Sequence, residues 1–183
     1  IPTPAVAYHT VKSGADMGIV ISASHNPVEF NGIKLFASTG YKLPDALEEQ
    51  IEGLILDHPE KIERKSGTEL GRISACRTAV QDYIFHLLST MDVNLSGVAV
   101  ALDCANGSAS ATAREAFSRL GAEVHMLSDQ PDGTNINKEC GSTHMEALAR
   151  YVSETPGLIG GFAFDGDADR CLAVDENGNR IDG

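Results

Sequence analysis

GVAVALDCANGSAS, residues 97–110, is the stretch that best indicates the fold class of this chain. Its first half is a near-continuous apolar strand, which is typical of sheets covered by helices on both faces. The polar turn after it leads into a predicted helix over about residues 109–120. The strand EVHML, a polar loop over 128–141, a helix over about 143–153 and the strand LIGGFAF follow. This alternation predicts a three-layer α/β domain.

The residues before this stretch predict another α/β unit. The patterns indicate helices over 4–11, 45–56 and about 78–89, and strands over 18–23 and 33–37. Glu48 lies three residues after Asp45, a capping-box spacing that predicts Asp45 as the N-cap of its helix. The charged segment 57–71 contains proline and glycine and is predicted to be a surface loop. Because the pattern restarts near 92–97, we predict two domains, 1–94 and 95–183.

Composition limits the classes of function. The formal net charge is −12, which argues against nucleic acid or an anionic membrane as a partner, because both require a positive surface. The four cysteines form no CxxC pair, so neither a zinc ribbon nor a thioredoxin-type site is indicated, and reduced thiols in a cytoplasmic protein are expected. No apolar run approaches the roughly 20 residues that cross a bilayer. Because the chain begins at Ile1 and stops at Gly183, we expect it to be part of a longer protein.

The segment FDGDADR places Asp165, Asp167 and Asp169 at alternating positions directly after an apolar strand. Carboxylates this close repel one another, so a bound cation is expected, and hard oxygen ligands favour Mg²⁺ or Ca²⁺. Arg170 can pair with the carboxylates or bind an anion held by the same metal. A solvated acidic turn is one alternative. An EF-hand loop is another, but it needs glycine where Arg170 stands and helices where strands are predicted.

The segment GIVISASHNPVEFNGIKLF, residues 18–36, begins as a strand and is then interrupted by Ser24, His25, Asn26 and Pro27. A serine hydroxyl at the end of a strand is suited to be a nucleophile or a phosphorylated carrier. His25 could orient this hydroxyl or donate a proton. However, neighbouring side chains of an extended chain point to opposite faces, so a catalytic Ser–His dyad is disfavoured.

In that order, the motifs SASHNP, NGIK and DGDADR resemble the α-D-phosphohexomutase superfamily. The longer spellings ISASHNPVEFNGIKLFASTGYKL, DCANGSAS, PDGTNINKECGSTH and FDGDADRCLAVDENGNRIDG are most similar to its bacterial phosphoglucosamine mutase branch. The resemblance covers nearly the whole chain. It implies two three-layer α/β/α domains with mixed sheets, which are most of domain I and domain II of a four-domain architecture. The amino-terminal part of domain I and domains III and IV have no counterpart here.

The resemblance also implies a set of site residues. Ser24 corresponds to the phosphoserine, and its phosphate would join Asp165, Asp167 and Asp169 around Mg²⁺. By the same correspondence, Lys34 assists proton transfer at the sugar hydroxyl, His25 lies near the phosphoserine, and Arg170 contacts its phosphate.

The activity implied by the resemblance is the interconversion of glucosamine 6-phosphate and glucosamine 1-phosphate through a hexosamine 1,6-bisphosphate. The expected partners are the phosphosugar and domains III and IV of the same enzyme, and a homodimer is compatible with the resemblance. Because sugar recognition belongs to domain III, little turnover is expected from this chain alone. The alternatives are a phosphoglucomutase or phosphomannomutase, or a non-catalytic α/β module that binds a divalent metal.

Overall fold

The computed structural model describes residues 1–181 as an α/β protein. In chain order the helices and strands are α1 (Thr3–Lys12), β1 (Met17–Ser22), β2 (Gly32–Ala37), α2 (Asp45–Glu52), α3 (Ala79–Ser89), β3 (Ala99–Asp103), α4 (Ala113–Arg119), β4 (Glu123–Leu127), α5 (Glu146–Glu154), β5 (Leu158–Phe164), β6 (Cys171–Asp175) and β7 (Arg180–Ile181). Within the described residues, no helix combines the length and the apolar character that a membrane span requires.

The second half of the chain forms a five-stranded mixed sheet with the order β4-β3-β5-β6-β7. Strand β3 is parallel to both of its neighbours, whereas β6 and β7 are antiparallel additions. Val100 and Leu102 of β3 pack in the core beside α4, and Ala101 packs with Leu148 of α5 on the other face. The apolar run at 97–103 is therefore covered on both sides, and the predicted three-layer α/β arrangement is confirmed for this half.

The first half is built on an antiparallel pair, β1 and β2, which runs from Met17 opposite Ala37 to Ser22 opposite Gly32. Helix α1 packs against one face of this pair and also contacts α3. Helix α2 lies across an open apolar groove of about 370 Å³ on the other face. Among the described residues, this smaller sheet is an antiparallel pair, and the mixed character predicted for the fold lies in the larger sheet.

The capping-box prediction at Asp45 is wrong. Pro44 occupies the N-cap position of α2 and no side chain caps this helix. The Asp45 carboxylate instead accepts a hydrogen bond of 2.7 Å from Nζ of Lys42, which also lies 3.2 Å from Glu48. Both carboxylates of the predicted box are thus engaged by a lysine that precedes the helix.

Three helices differ in extent from the sequence prediction. Helix α2 ends at Glu52 and continues as a π-helical turn over Gly53–Asp57. The helix predicted from residue 109 begins as a 3₁₀ turn before α4 starts at Ala113. The helix predicted from residue 143 starts at Glu146, because the backbone just before it is hydrogen-bonded to the sheet. The N–H of Gly141 donates to the Asp103 carboxylate, and the N–H of Ser142 donates to the Phe164 carbonyl. The segment 57–71 is exposed throughout, as predicted.

Candidate active site

Three loops of the second half meet at one edge of the large sheet. They follow β3, β4 and β5, and the carboxyl ends of neighbouring parallel strands lie on the same side, where α/β proteins commonly bind ligands. The Ser108 N–H donates to the carbonyl of Gly166 at 2.8 Å, and the Asn137 N–H donates to the carbonyl of Ala105 at 2.9 Å. The acidic loop, residues 165–170, is therefore supported by the loops that follow its neighbouring strands.

The serine loop, residues 23–31 between β1 and β2, joins this edge through backbone contacts. The N–H of Gly166 donates to the carbonyl of Ser24 at 3.1 Å. A Cβ at residue 166 would lie 2.5 Å from that carbonyl oxygen, so the close approach requires glycine. Ser24 has a φ of +52°, in the left-handed region that is uncommon for a serine. The chain turns sharply there and leaves the strand.

The three aspartates of the acidic loop form one cluster. One carboxylate oxygen from each of Asp165, Asp167 and Asp169 lies within 4.8 Å of the others. Asp165 and Asp167 are 1% and 3% exposed. Oδ2 of Asp165 and Oδ1 of Asp167 are buried and accept no hydrogen bond from the described residues. Such oxygens are costly to bury and are the hard ligands that divalent cations prefer, so the residues fit Mg²⁺.

Lys34 lies on β2 opposite Val20 and reaches the acidic loop from the first half of the chain. Its Nζ donates to Oδ2 of Asp167 at 2.5 Å and to Oδ2 of Asp169 at 2.7 Å. By resemblance, Lys34 is expected to assist proton transfer at the sugar hydroxyl. The contacts of this lysine are with the carboxylates beside the serine, so it is a counter-ion of the cluster.

Arg170 connects the two loops. Its Nε lies 3.3 Å from Oδ2 of Asp165, and one terminal nitrogen lies 3.4 Å from Ser24 Oγ and 2.7 Å from Nδ1 of His25. The guanidinium and His25 are both exposed, whereas Asp165 is buried. His25 therefore contacts the arginine, and the Ser24 hydroxyl has the arginine, not the histidine, as its neighbour.

The electrostatics of the cluster differ from residue to residue. Burial raises the pKa of Asp165, and repulsion from Asp167 and Asp169 raises it further. Burial alone would also raise the pKa of Asp167, but the hydrogen bonds from Lys34 and Thr3 lower it overall. Burial works against the charge of Lys34, but its bonds to Asp167 and Asp169 dominate and raise its pKa. The cluster thus holds Lys34 protonated at neutral pH, while Asp165 lacks comparable compensation.

Two contributing residues were not predicted from the sequence, and both act across long distances in the chain. Thr3, at the start of α1, donates from its hydroxyl to Oδ2 of Asp167 at 2.7 Å and from its N–H to the Asp167 carbonyl at 2.9 Å. Asn137 donates from its side-chain amide to the carbonyls of Ser24 and Asn26. Neither residue type nor spacing signals these contacts, although Asn137 lies inside the polar motif PDGTNINKECGSTH.

The predicted site residues are close together in the structure. Ser24, His25, Lys34, Asp165, Asp167, Asp169 and Arg170 are linked by the contacts described above. Strands β5 and β6 flank the acidic loop directly, which is incompatible with the helix–loop–helix of an EF-hand. What this arrangement offers chemically is a hydroxyl beside a cationic arginine, a protonated lysine and a carboxylate cluster suited to a divalent cation.

Comparison with known proteins agrees with this combination of fold and site. Residues 1–61 match the family model described as phosphoglucomutase/phosphomannomutase, alpha/beta/alpha domain I, and residues 81–178 match the model of domain II. The chain therefore belongs to the phosphoglucomutase/phosphomannomutase family, whose members are phosphohexomutases. Its α/β fold with a mixed sheet is part of a multi-domain architecture in that family.

One curated relative is a phosphoglucosamine mutase, an isomerase, from Clostridium novyi. It is 56% identical over 183 residues, which are 100% of this chain and 40% of the relative. The chain thus spans less than half the length of the relative.

Two solved structures share the fold. A phosphoglucomutase/phosphomannomutase family protein from Burkholderia thailandensis is 26% identical, with a TM-score of 0.75 over 99% of this chain and 40% of its own. An Aspergillus fumigatus N-acetylphosphoglucosamine mutase, solved with GlcNAc-6P and magnesium, is 18% identical. It has a TM-score of 0.53 over 98% of this chain and 48% of its own.

Proposed function

We propose that this chain is the phosphoryl-carrying part of a phosphoglucosamine mutase, which interconverts glucosamine 6-phosphate and glucosamine 1-phosphate. The observation that carries the proposal is the contact of Arg170 with both Ser24 Oγ and Asp165, because it joins a hydroxyl of one half to the carboxylate cluster of the other. The preference for glucosamine over glucose or mannose rests on the identity to the phosphoglucosamine mutase of C. novyi.

In this proposal Ser24 is the carrier of the phosphoryl group. Its Oγ forms a bond to the phosphorus of a sugar 1,6-bisphosphate, the bond from that phosphorus to a sugar oxygen breaks, and the sugar monophosphate leaves. Lys34 gives its proton to the released sugar oxygen and regains one from the serine hydroxyl. Lys34 is hydrogen-bonded to Asp167 and Asp169, in the carboxylate cluster that Arg170 joins to Ser24, and this position supports a role as the acid in this step.

Arg170 and His25 are assigned to the phosphate on Ser24. The terminal nitrogen of Arg170, 3.4 Å from Ser24 Oγ, would meet the new phosphate oxygens, and guanidinium groups match phosphate geometry well. His25, 2.7 Å from that nitrogen, orients the guanidinium. Phosphoryl transfer depends on neutralising charge on these oxygens more than on covalent help from the protein.

Asp165, Asp167 and Asp169, with an oxygen of the serine phosphate, are proposed to hold Mg²⁺. Their two buried oxygens without hydrogen-bond donors support this assignment. When bound, the ion would supply positive charge that stabilises the transferring phosphoryl group.

The remaining parts of the proposal concern the whole protein. Turnover requires the sugar to be enclosed and turned end for end, and we assign this to domains III and IV, which are implied because the chain covers 40% of its relative. The isolated chain is then expected to accept a phosphoryl group but to show little isomerisation. The four free cysteines accord with a cytoplasmic location. The homodimer and the boundary between residues 94 and 95 stay predictions.

Intact-mass spectrometry tests the proposed function. The chain is incubated with glucose 1,6-bisphosphate and Mg²⁺, and we expect it to gain the mass of one phosphoryl group. Ser24→Ala should abolish the gain, whereas Ser38→Ala, a matched change at an exposed serine after β2, should leave it intact. Binding of Mg²⁺ without any transfer to Ser24 would instead support the non-catalytic metal-binding module and contradict the mutase.

A further inference from the structure

Asn137, in the loop between β4 and α5, contacts the serine loop through its side chain. Its amide nitrogen donates to the carbonyl of Ser24 and to the carbonyl of Asn26, each at 2.8 Å. Asn137 is only 7% exposed, so solvent offers little substitute for these bonds. Both amide hydrogens are used, and the two carbonyls they meet lie on either side of His25.

The backbone of Ser24 needs such support. A left-handed conformation costs a residue with a side chain about 1–2 kcal/mol, and Ser24 has a φ of +52°. Its N–H donates to Oγ of Ser22 at 2.8 Å, and its carbonyl accepts from Asn137 and from the N–H of Gly166. Two of these three partners come from the second half of the chain. The conformation of Ser24 is therefore imposed from outside its own hairpin.

Asn137 is itself anchored in the large sheet. Its N–H donates to the carbonyl of Ala105 at 2.9 Å, and its φ of +56° is one that asparagine tolerates better than most residues. Asp103, at the end of β3 and 0% exposed, accepts bonds of 2.9 Å from the N–H groups of Ala105 and Gly141. The bonds of Asn137 and Gly141 thus tie this segment to the end of β3.

We propose that Asn137 is a positioning residue, which holds the serine loop so that the Ser24 hydroxyl faces Arg170 and the acidic loop. It touches no reacting atom and acts through the Ser24 and Asn26 carbonyls. The expected effect of Asn137 on phosphoryl transfer rests on the proposed function, whereas its expected effect on the position of the serine loop does not. Removal of the amide should therefore loosen the serine loop and slow transfer, while the acidic loop and its affinity for a cation stay nearly unchanged.

Two variants separate the side chain of Asn137 from its backbone. Asn137→Asp keeps the shape but replaces the donating amide with a carboxylate that repels both carbonyls. Asn137→Gly removes the amide and accommodates the left-handed backbone without strain. Asn135→Asp is the matched control, because the Asn135 amide donates to Gln130 within its own loop rather than to the serine loop.

Hydrogen exchange is the first readout. We expect amides in residues 22–31 to exchange at least about tenfold faster in both variants, with β5 unchanged, as in local opening. The control should match the wild type. Exchange at wild-type rates in residues 22–31 would overturn the proposal, and so would equal acceleration in β5, because that would indicate general destabilisation.

Phosphorylation of Ser24 by glucose 1,6-bisphosphate is the second readout. At saturating donor its rate should fall roughly 10- to 100-fold in both variants, the scale expected for a misplaced reacting group. The half-saturating donor concentration and the affinity for Mg²⁺ should change less than about twofold, since those groups are not displaced. If the wild-type chain accepts no phosphoryl group, the proposed function fails, and the exchange measurement alone decides whether Asn137 holds the loop.

Discussion

The serine loop and the acidic loop face each other but are built differently. The acidic loop follows β5, which lies between β3 and β6 in the larger sheet, and its residues Asp165 and Asp167 are almost fully buried. The serine loop connects β1 and β2, which form a separate two-stranded sheet, and the flanking Ile21 and Ile33 are 74% and 68% exposed. The acidic loop is held by the sheet and core of its own half, whereas the serine loop is held by contacts with the other half of the chain.

This difference indicates where the geometry of the site originates. The Ser24 carbonyl, in the first half, accepts hydrogen bonds from Gly166 and Asn137, which both belong to the second half. In return, Lys34 and Thr3 of the first half bind Asp167. The serine thus depends on the second half for its backbone conformation, and the aspartates depend on the first half for charge compensation.

The largest expected effect concerns the acidic loop as a cation site. Asp165→Asn and Asp167→Asn should each weaken Mg²⁺ binding by at least about 10- to 100-fold, the loss typical even of residues that only support a ligand. Isothermal titration calorimetry measures this affinity. Asp92→Asn, which changes an exposed carboxylate at the start of the segment before β3, is the control and should bind like the wild type. Unchanged affinity in both loop variants would contradict the cation site.

The contact between the two loops is tested at Gly166. A Cβ there would lie 2.5 Å from the Ser24 carbonyl and 2.7 Å from Ile136, so Gly166→Ala must displace backbone. We expect the free energy of unfolding to fall by about 1–3 kcal/mol, as for other overpacked sites. Chemical denaturation measures this change. Gly71→Ala, where an added Cβ meets nothing within 4 Å, should lower stability little, and an equal loss there would remove the argument from close approach.

The sequence was sufficient to predict the parts that depend on local pattern. The apolar run at 97–103 indicated a strand covered on both faces, and the motifs around Ser24 and Asp165 identified residues that the fold brings together. Asn137 and Thr3 could not be found in this way, because their bonds join residues 113 and 164 positions apart. The prediction at Asp45 was wrong because a capping spacing does not reveal a competing lysine, and Lys42 lies in reach of both carboxylates.

Thr3 tests how far the buried aspartate depends on the first half. Thr3→Val keeps the shape but removes the hydroxyl that donates to Asp167, and the buried carboxylate loses a partner. The free energy of unfolding should fall by about 1–2 kcal/mol, near the lower end for a hydrogen bond to a charged group, because Lys34 still donates to the same oxygen. Thr3→Ser retains the hydroxyl and should recover most of this loss in the same denaturation experiment. If valine and serine gave equal stability, the hydroxyl would not be what supports Asp167.

The smallest expected effect has the opposite sign and concerns Lys34. Its ammonium group neutralises Asp167 and Asp169, so it competes with a bound cation for the same carboxylates. Lys34→Met should therefore tighten Mg²⁺ binding about fivefold, which corresponds to about 1 kcal/mol for one charge at 4 Å with the screening of water. The same variant should lose phosphorylation of Ser24, because Lys34 is the proposed acid. Lys12→Met removes a lysine that pairs with Asp82, away from the acidic loop, and should change neither property. Weaker Mg²⁺ binding in Lys34→Met would contradict this competition and would mean that the lysine organises the carboxylates. The acidic loop would then depend on the first half for its structure rather than for compensation of its charge.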